Sequence, residues 1–379
     1  MTYSVPIPKR FYSLDVLRGV AALSIVLWHW RFFFLTTNSQ SVIFHLDKQP
    51  LFDVFYILYK YGNEAVELFF CISGFVFFWL YSKRIADKAI SLKAFSVLRL
   101  SRLYPLHFVT LIFVGVGQLV YTGINNVSFA FPFNDTYHFF LNLFFASAWG
   151  MEKGLSFNGP IWSVSVEVLL YAMFFVFCRI FTRNVISLFV VVILGYFTQR
   201  FNSAIGSGVM FFFIGALVFF AYEKINTTGD AWKVSIWLPW VTFIAWLMLI
   251  SATYPDHGFT FSEAPWVIHK IFNHIIFVLF PMTIMSLALI ETKRGSLGKR
   301  LSLIGDISYS SYLLHFPLIM ATVMVISELG IGSDLFYSPW FMALFFLVLI
   351  LLCLASHRYF EIPMQRYLRR LDNQVVKRV

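Results

Sequence analysis

Charge is what this sequence has least of. Only 13% of its 379 residues are charged, about half of the roughly 25% found in soluble domains, and this excludes an ordinary water-soluble fold. Cysteine is scarce as well. Cys71, Cys178 and Cys353 each lie inside an apolar run, where they read as small core residues rather than disulfide partners or metal ligands. Internal repeats, low-complexity linkers and any stretch resembling a separate soluble domain are also missing. The chain therefore reads as a single membrane-embedded domain, residues 1–379, with a basic tail at about 358–379.

Apolar and aromatic residues fill the space that charge leaves. Hydrophobic residues make up 59% of the chain, with 47 Phe, 18 Tyr and 11 Trp, a composition suited to lipid-facing surfaces and headgroup belts. The net charge of +10 does not point to nucleic acid, because the basic residues sit in short loops between apolar runs. The start, Lys9 and Arg10 before an apolar run, resembles a signal peptide, but Asp15, Arg18 and His29 interrupt that run. No small-residue cleavage site follows cleanly, so the segment reads as a retained first span.

A helical crossing needs about 20 apolar residues. The hydropathy pattern predicts ten spans, near 14–35, 63–81, 104–121, 162–181, 185–200, 206–222, 233–251, 269–290, 304–326 and 338–357. The expected fold is thus an all-α integral membrane bundle of about ten transmembrane helices. With the N-terminus inside, most of the 29 basic residues fall in cytoplasmic stretches, and only Arg31, Lys48, Lys60, Lys153, Arg200 and Lys270 lie outside or at outer edges. That asymmetry predicts both termini in the cytoplasm. Residues 137–149 are apolar but too short to cross comfortably, and are expected to form a re-entrant or interfacial helix in a long outer loop, 122–161. Residues 51–60 read as a second surface-lying helix.

Ionisable groups inside lipid mark cavities or pathways by default. Arg18 and His29 are eleven residues apart, close to three helical turns, so on a regular helix they share a face and stand roughly 16 Å apart. Arg18 has two readings, a side chain that snorkels to the interface and one that lines a path. His29 on the same stripe favours the path. Glu167, about one and a half turns into the fourth span, is expected at a depth similar to that of His29. A carboxylate beside the imidazole would hold its tautomer and raise its basicity, as a general base requires. Arg99 and Arg102, three apart, present two guanidinium groups on one helical face, which suits phosphate recognition. Anchoring to anionic lipid explains them equally well. In the ninth span Ser308, Tyr309, Ser311, Tyr312 and His315 make a strongly hydrogen-bonding helix, in which the serines also fit as helix–helix contacts.

Taken in order, these motifs resemble the acyltransferase 3 family of integral membrane acyltransferases. The matching elements are Arg-x10-His (Arg18, His29), FFCISGF at 69–75, Arg-x-x-Arg-x-Tyr-Pro at 99–105, Trp-Ser…Glu…Tyr at 162–171, Ser-Tyr-x-x-Tyr-Leu-x-His at 308–315 and Glu-x-Pro at 361–363. The resemblance implies an O-acyltransferase of the bacterial inner membrane that modifies sugars on its outer side. The implied donor is a cytoplasmic acyl-CoA, most commonly acetyl-CoA, consumed as a substrate, with no permanently bound cofactor and no metal. The implied partners are this donor, a carbohydrate or glycolipid acceptor and the lipid bilayer. Donor binding would fall to Arg18, Arg99, Arg102 and Tyr104, and catalysis to His29 with Glu167. The substrate path would be lined by Ser73, Trp162, Ser163, Tyr309 and His315. Some family members carry a fused outer SGNH-type hydrolase domain; here any such periplasmic partner is expected to be a separate protein or unnecessary. The rival reading is a transporter or flippase for a glycoconjugate using the same polar residues. Transporters often carry inverted repeats, and none is detected here.

Overall fold

The computed structural model of the chain describes residues 8–35, 44–181, 183–228, 231–254 and 265–371. Residues 372–379 of the expected basic tail lie outside the described residues. Among the described residues the chain is helical and has no strand. The helices are α1 (Tyr12–Trp28), α2 (Phe52–Tyr61), α3 (Ala65–Phe77), α4 (Lys83–Ala86) and α5 (Leu92–Asn125). After these come α6 (Thr136–Leu143), α7 (Trp162–Ile180), α8 (Val185–Thr198), α9 (Ser203–Thr228) and α10 (Ala231–Thr253). The remainder are α11 (Pro265–Arg294), α12 (Ser302–Asp306), α13 (Ser308–Glu328), α14 (Pro339–Ser356) and α15 (Ile362–Arg370). Short 3-10 or π turns continue several of them, among them His29–Phe34 after α1 and His357–Glu361 after α14.

Nine helical stretches among the described residues are long and apolar enough to cross a membrane. The expected span at 185–200 is the exception. Asn184 caps α8 through Ile186 N and Ser187 N, and the helix ends at Thr198, so its 14 residues reach only about 21 Å against a hydrocarbon core of about 30 Å. Helix α6, with 8 residues, extends about 12 Å, shorter than a crossing. Its end is set by Phe145, whose φ of 56° turns the chain into the left-handed region. Helix α2 carries buried Tyr56 and Tyr59, so it is not simply laid on a surface as its sequence suggested. All three cysteines are buried thiols.

The chain divides into two compact units. The first comprises residues 1–21, 60–83 and 181–306. Here α9 packs against α3 and α8, and α11 against α9 and α10. Gly74 and Gly215 permit the closest approach: a Cβ on either would collide with the backbone carbonyl of Phe212 or Cys71, respectively. The start of α1 is tied to α11 by Glu291, which is fully buried. Its carboxylate accepts from Tyr12 N at 2.9 Å, Ser13 N at 2.9 Å and Ser13 Oγ at 2.6 Å. A carboxylate there satisfies orphan helix donors and complements the positive end of the helix dipole.

The second unit comprises residues 22–59, 84–180 and 307–379. Its α13 packs on α5, on α14 and on the 3-10 turn 29–34. The core is aromatic: Trp30, Phe33, Phe316 and Phe345 are all buried, and Trp30 Nε1 donates to the Phe336 carbonyl at 3.0 Å. Pro317 within α13 has no N–H to offer the carbonyl four residues earlier. That carbonyl, Leu313 O, instead accepts from Asn158 Nδ2 at 3.1 Å. The connection between α5 and α7 is fastened by side chains. Gln118 bonds both backbone groups of Phe129 at 2.9 Å, and Asn142 Nδ2 bonds His138 O and Ser156 Oγ at 2.9 Å.

Candidate active site

His29 opens the 3-10 turn that follows α1, and its side chain is buried. His315 lies mid-way along α13 and is fully buried. Their sequence positions differ by 286 residues, yet His29 Nδ1 and His315 Nε2 are 2.9 Å apart. The ring planes are within 12° of parallel and the centroids 4.9 Å apart. With the nitrogens this close, the two rings are joined by an N–H···N hydrogen bond. On the other side of His315, Nδ1 lies 3.1 Å from the Ser311 carbonyl oxygen, one helical turn back. Phe32 stacks on His29 with centroids 4.7 Å apart, and Phe316 and Phe131 pack edge-on against Phe32. Packing therefore restrains one face of the imidazole while the hydrogen bond to His315 restrains Nδ1.

The partner at the Nδ1 of His29 is His315 rather than the expected Glu167. Glu167 Oε1 instead accepts from the Tyr171 hydroxyl at 2.7 Å, one turn further along α7. The Arg99 guanidinium lies 6.0 Å from the centroid of the Tyr171 ring. Arg99, Tyr171 and Glu167 therefore form a chain of contacts between α5 and α7. Equal membrane depth, the basis of the expected pairing, does not specify which helices are neighbours.

The remaining expected site residues fall into place as follows. Tyr309 on α13 donates to the Leu103 carbonyl of α5 at 2.5 Å. Tyr312 donates to the Pro160 carbonyl at 2.6 Å and, with its donor so used, accepts from Ser163 Oγ at 2.6 Å. Trp162 begins α7 and is half-buried. Tyr104 is half-buried and its ring lies parallel to Phe108. Arg102 shares α5 with Arg99 and Tyr104. Arg18 and Ser73 belong to the other unit. There Arg18 donates to the Gly305 carbonyl at 3.3 Å and lies 3.5 Å from Asp15.

Three sets of contacts in this neighbourhood were not legible beforehand. Glu361, from the terminal Glu-x-Pro element, is buried and accepts from Ser310 at 2.5 Å and Ser356 at 2.9 Å, tying the π turn to α13. Arg369 of α15 donates to Ser101 Oγ at 3.2 Å, which places a further cation next to the Arg99–Arg102 element. The Ser311 carbonyl has no signature in sequence at all. A backbone acceptor becomes informative only once the side chain facing it is known.

Chemically, a buried imidazole with one nitrogen engaged and its ring held by packing is equipped to move a proton at the other nitrogen. Arg99, Arg102 and Arg369 supply guanidinium donors suited to a phosphate-bearing substrate.

Comparison with known proteins identifies relatives and a family. Over 104 residues the chain is 36% identical to the protein described as "Protein 2 in picA locus" of Rhizobium radiobacter, covering 27% of this chain and 44% of that one. Over 180 residues it is 29% identical to "Acyltransferase MdmB" of Streptomyces mycarofaciens, covering 44% of this chain and 38% of that one. The matches thus span less than half the length of either relative. No solved structure matches the chain. The model of the acyltransferase domain family (Acyl_transf_3), in contrast, matches residues 11–358. That stretch contains every site residue named above apart from Glu361 and Arg369, and the chain belongs to this family of membrane acyltransferases.

Proposed function

We propose that the protein moves an acyl group, acetyl in the simplest case, from acyl-CoA at the cytoplasmic face of a bacterial inner membrane to a hydroxyl of a sugar or glycan at the outer face. The observation that carries this reading is the buried His29, held through one ring nitrogen inside a family whose members transfer acyl groups. In the reaction the imidazole takes the proton of the acceptor hydroxyl as its oxygen attacks the thioester carbonyl. The new C–O bond forms, the C–S bond breaks, and the departing thiolate receives a proton. Arg99 and Arg102 of α5, with Tyr104, hold the donor's phosphates. In a variant of the same reaction the acyl group passes first to His29 and then to the hydroxyl.

The test is thiol release from acetyl-CoA by the purified full chain in detergent, with lipopolysaccharide as the acceptor glycan. Release that depends on the acceptor and is lost in His29→Ala is the expected outcome. Release that persists undiminished in His29→Ala overturns the assignment of His29. Labelled donor incubated without acceptor distinguishes the two routes, since only the relay leaves an acylated protein.

A further inference from the structure

We propose that His315 is a positioning residue that locks His29 in a single tautomer, with the proton on Nδ1 and the reactive lone pair on Nε2. As to mechanism, the inference deepens the acyl-transfer reading and rests on it. The tautomer itself follows from the hydrogen bonds alone.

The assignment begins at a group with no choice. The Ser311 carbonyl can only accept, so His315 Nδ1, at 3.1 Å, must be its donor. A neutral imidazole carries one N–H, and His315 Nε2 is therefore an acceptor. Nε2 is 2.9 Å from His29 Nδ1, so His29 Nδ1 carries the hydrogen and donates it. The proton of His29 is thereby accounted for, and its Nε2 holds the lone pair. A backbone carbonyl on α13 sets the reactive atom of a different segment through two imidazole rings.

The alternative is a protonated His315, donating at both nitrogens, which would reverse the bond and place the His29 proton on Nε2. The surroundings oppose it. His315 is fully buried, and neither ring forms an ion pair with a carboxylate among the described residues. Arg31, two residues beyond His29 and stacked on Trp28, already brings a positive charge to the same turn. A second buried cation without a counter-charge is strongly disfavoured. Tyr312, whose ring centroid is 6.0 Å from that of His315, keeps its own proton on the Pro160 carbonyl.

The arrangement resembles the catalytic triad in logic but uses a neutral acceptor where the triad uses a carboxylate. When His29 Nε2 takes the acceptor's proton, the resulting imidazolium still donates from Nδ1 to His315 Nε2, which spreads the new charge over two rings. As the C–S bond breaks, the same Nε2–H returns its proton to the thiolate, and both histidines revert to the starting tautomers. The step needs no further reactant.

The test is a direct reading of the tautomer by 15N NMR of the full chain, labelled at histidine and reconstituted in lipid nanodiscs. His29→Gln identifies the His29 signals by their loss. In the wild type His29 is expected as a neutral ring protonated on Nδ1. His315→Gln, whose side-chain carbonyl preserves an acceptor, should keep that form. His315→Phe, which preserves the ring but offers no lone pair, should shift His29 toward the Nε2-protonated form. In the thiol-release assay His315→Phe should lower kcat about 100-fold, the range of a positioned acid–base group, with the KM for acetyl-CoA little changed, and His315→Gln should recover part of the loss. A wild-type His29 found as the Nε2-protonated form or as the imidazolium overturns the proposal, as does a His315→Phe variant with an unchanged tautomer. If His315→Phe does not fold, the wild-type and His315→Gln spectra decide alone. Absence of thiol release in the wild type would count against the acyl-transfer reading and leave the tautomer assignment standing, so the two failures are distinguishable.

Discussion

The two compact units spend their buried polar groups differently. In the unit containing α9 and α11, several such groups close a helix end or join two helices. Glu291 accepts three donors from the start of α1, and Ser207 donates to Glu67 at 2.9 Å. In the unit containing α5 and α13, the histidine pair ends on a ring nitrogen with its lone pair to offer, and arginines gather along α5 and α15. A membrane-buried ion or imidazole is therefore not by itself a sign of chemistry. What distinguishes the two uses is whether the hydrogen-bond chain closes.

That contrast predicts where damage will be catalytic and where it will be structural. The largest effect is expected for His29→Ala, which should reduce acyl transfer by about 10²–10⁴-fold while leaving the thermal midpoint close to that of wild type. An equal loss of stability would erase the distinction between the units. Next, the double variant Arg99→Ala/Arg102→Ala should raise the KM for acetyl-CoA about tenfold or more, as expected when charged hydrogen bonds to a ligand worth roughly 1.5–3 kcal/mol each are removed. Steady-state kinetics at several donor concentrations would show a KM effect exceeding the kcat effect.

In the other unit, Glu291→Ala strands three donors at the start of α1 and should cost about 1–3 kcal/mol of stability. Turnover per folded molecule should not change, and Glu291→Gln should be milder because it keeps an acceptor. Thermal melting monitored alongside activity checks both parts. The smallest effect concerns the loop before α7. Asp135 caps α6 through His138 N at 2.9 Å and pairs with His138 Nδ1 at 2.8 Å. The His138 N–H and imidazole together hold its carboxyl below the usual carboxylate range. A depressed carboxyl contributes its stability above the ordinary aspartate pKa and loses it as pH falls through the lowered folded value. Acid-induced protease sensitivity of the 126–158 loop should therefore begin only in that acidic window, and Asp135→Asn should remove the pH dependence.

Much of the site could be read from residue types. Arg99 and Arg102 share one helix, so a spacing of three places them together by helical geometry alone. The polar face of α13 was legible for the same reason. The partner of His29 was not. Glu167 and His315 were both ionisable, both intramembrane and both plausible neighbours, and the choice between them depends on which helix packs on the 29–34 turn. The helix at 185–200 is shorter than its apolar run for a local reason instead, since hydropathy registers the run but not the cap at Asn184 and the end at Thr198.

The sequence by itself determined that this chain is a polytopic helical membrane protein, because the length of an apolar run and the scarcity of charge are one-dimensional quantities that a bilayer reads directly. It also determined the family, through motifs whose order along the chain is itself the signature. Only the tertiary structure decided that His29 meets His315, that a backbone carbonyl on α13 sets the imidazole tautomer, and that Arg18 meets the Gly305 carbonyl. Each of these is a contact between groups far apart in sequence, or with a backbone atom every residue possesses. Such contacts are chosen by how helices pack, which no local pattern of residues records.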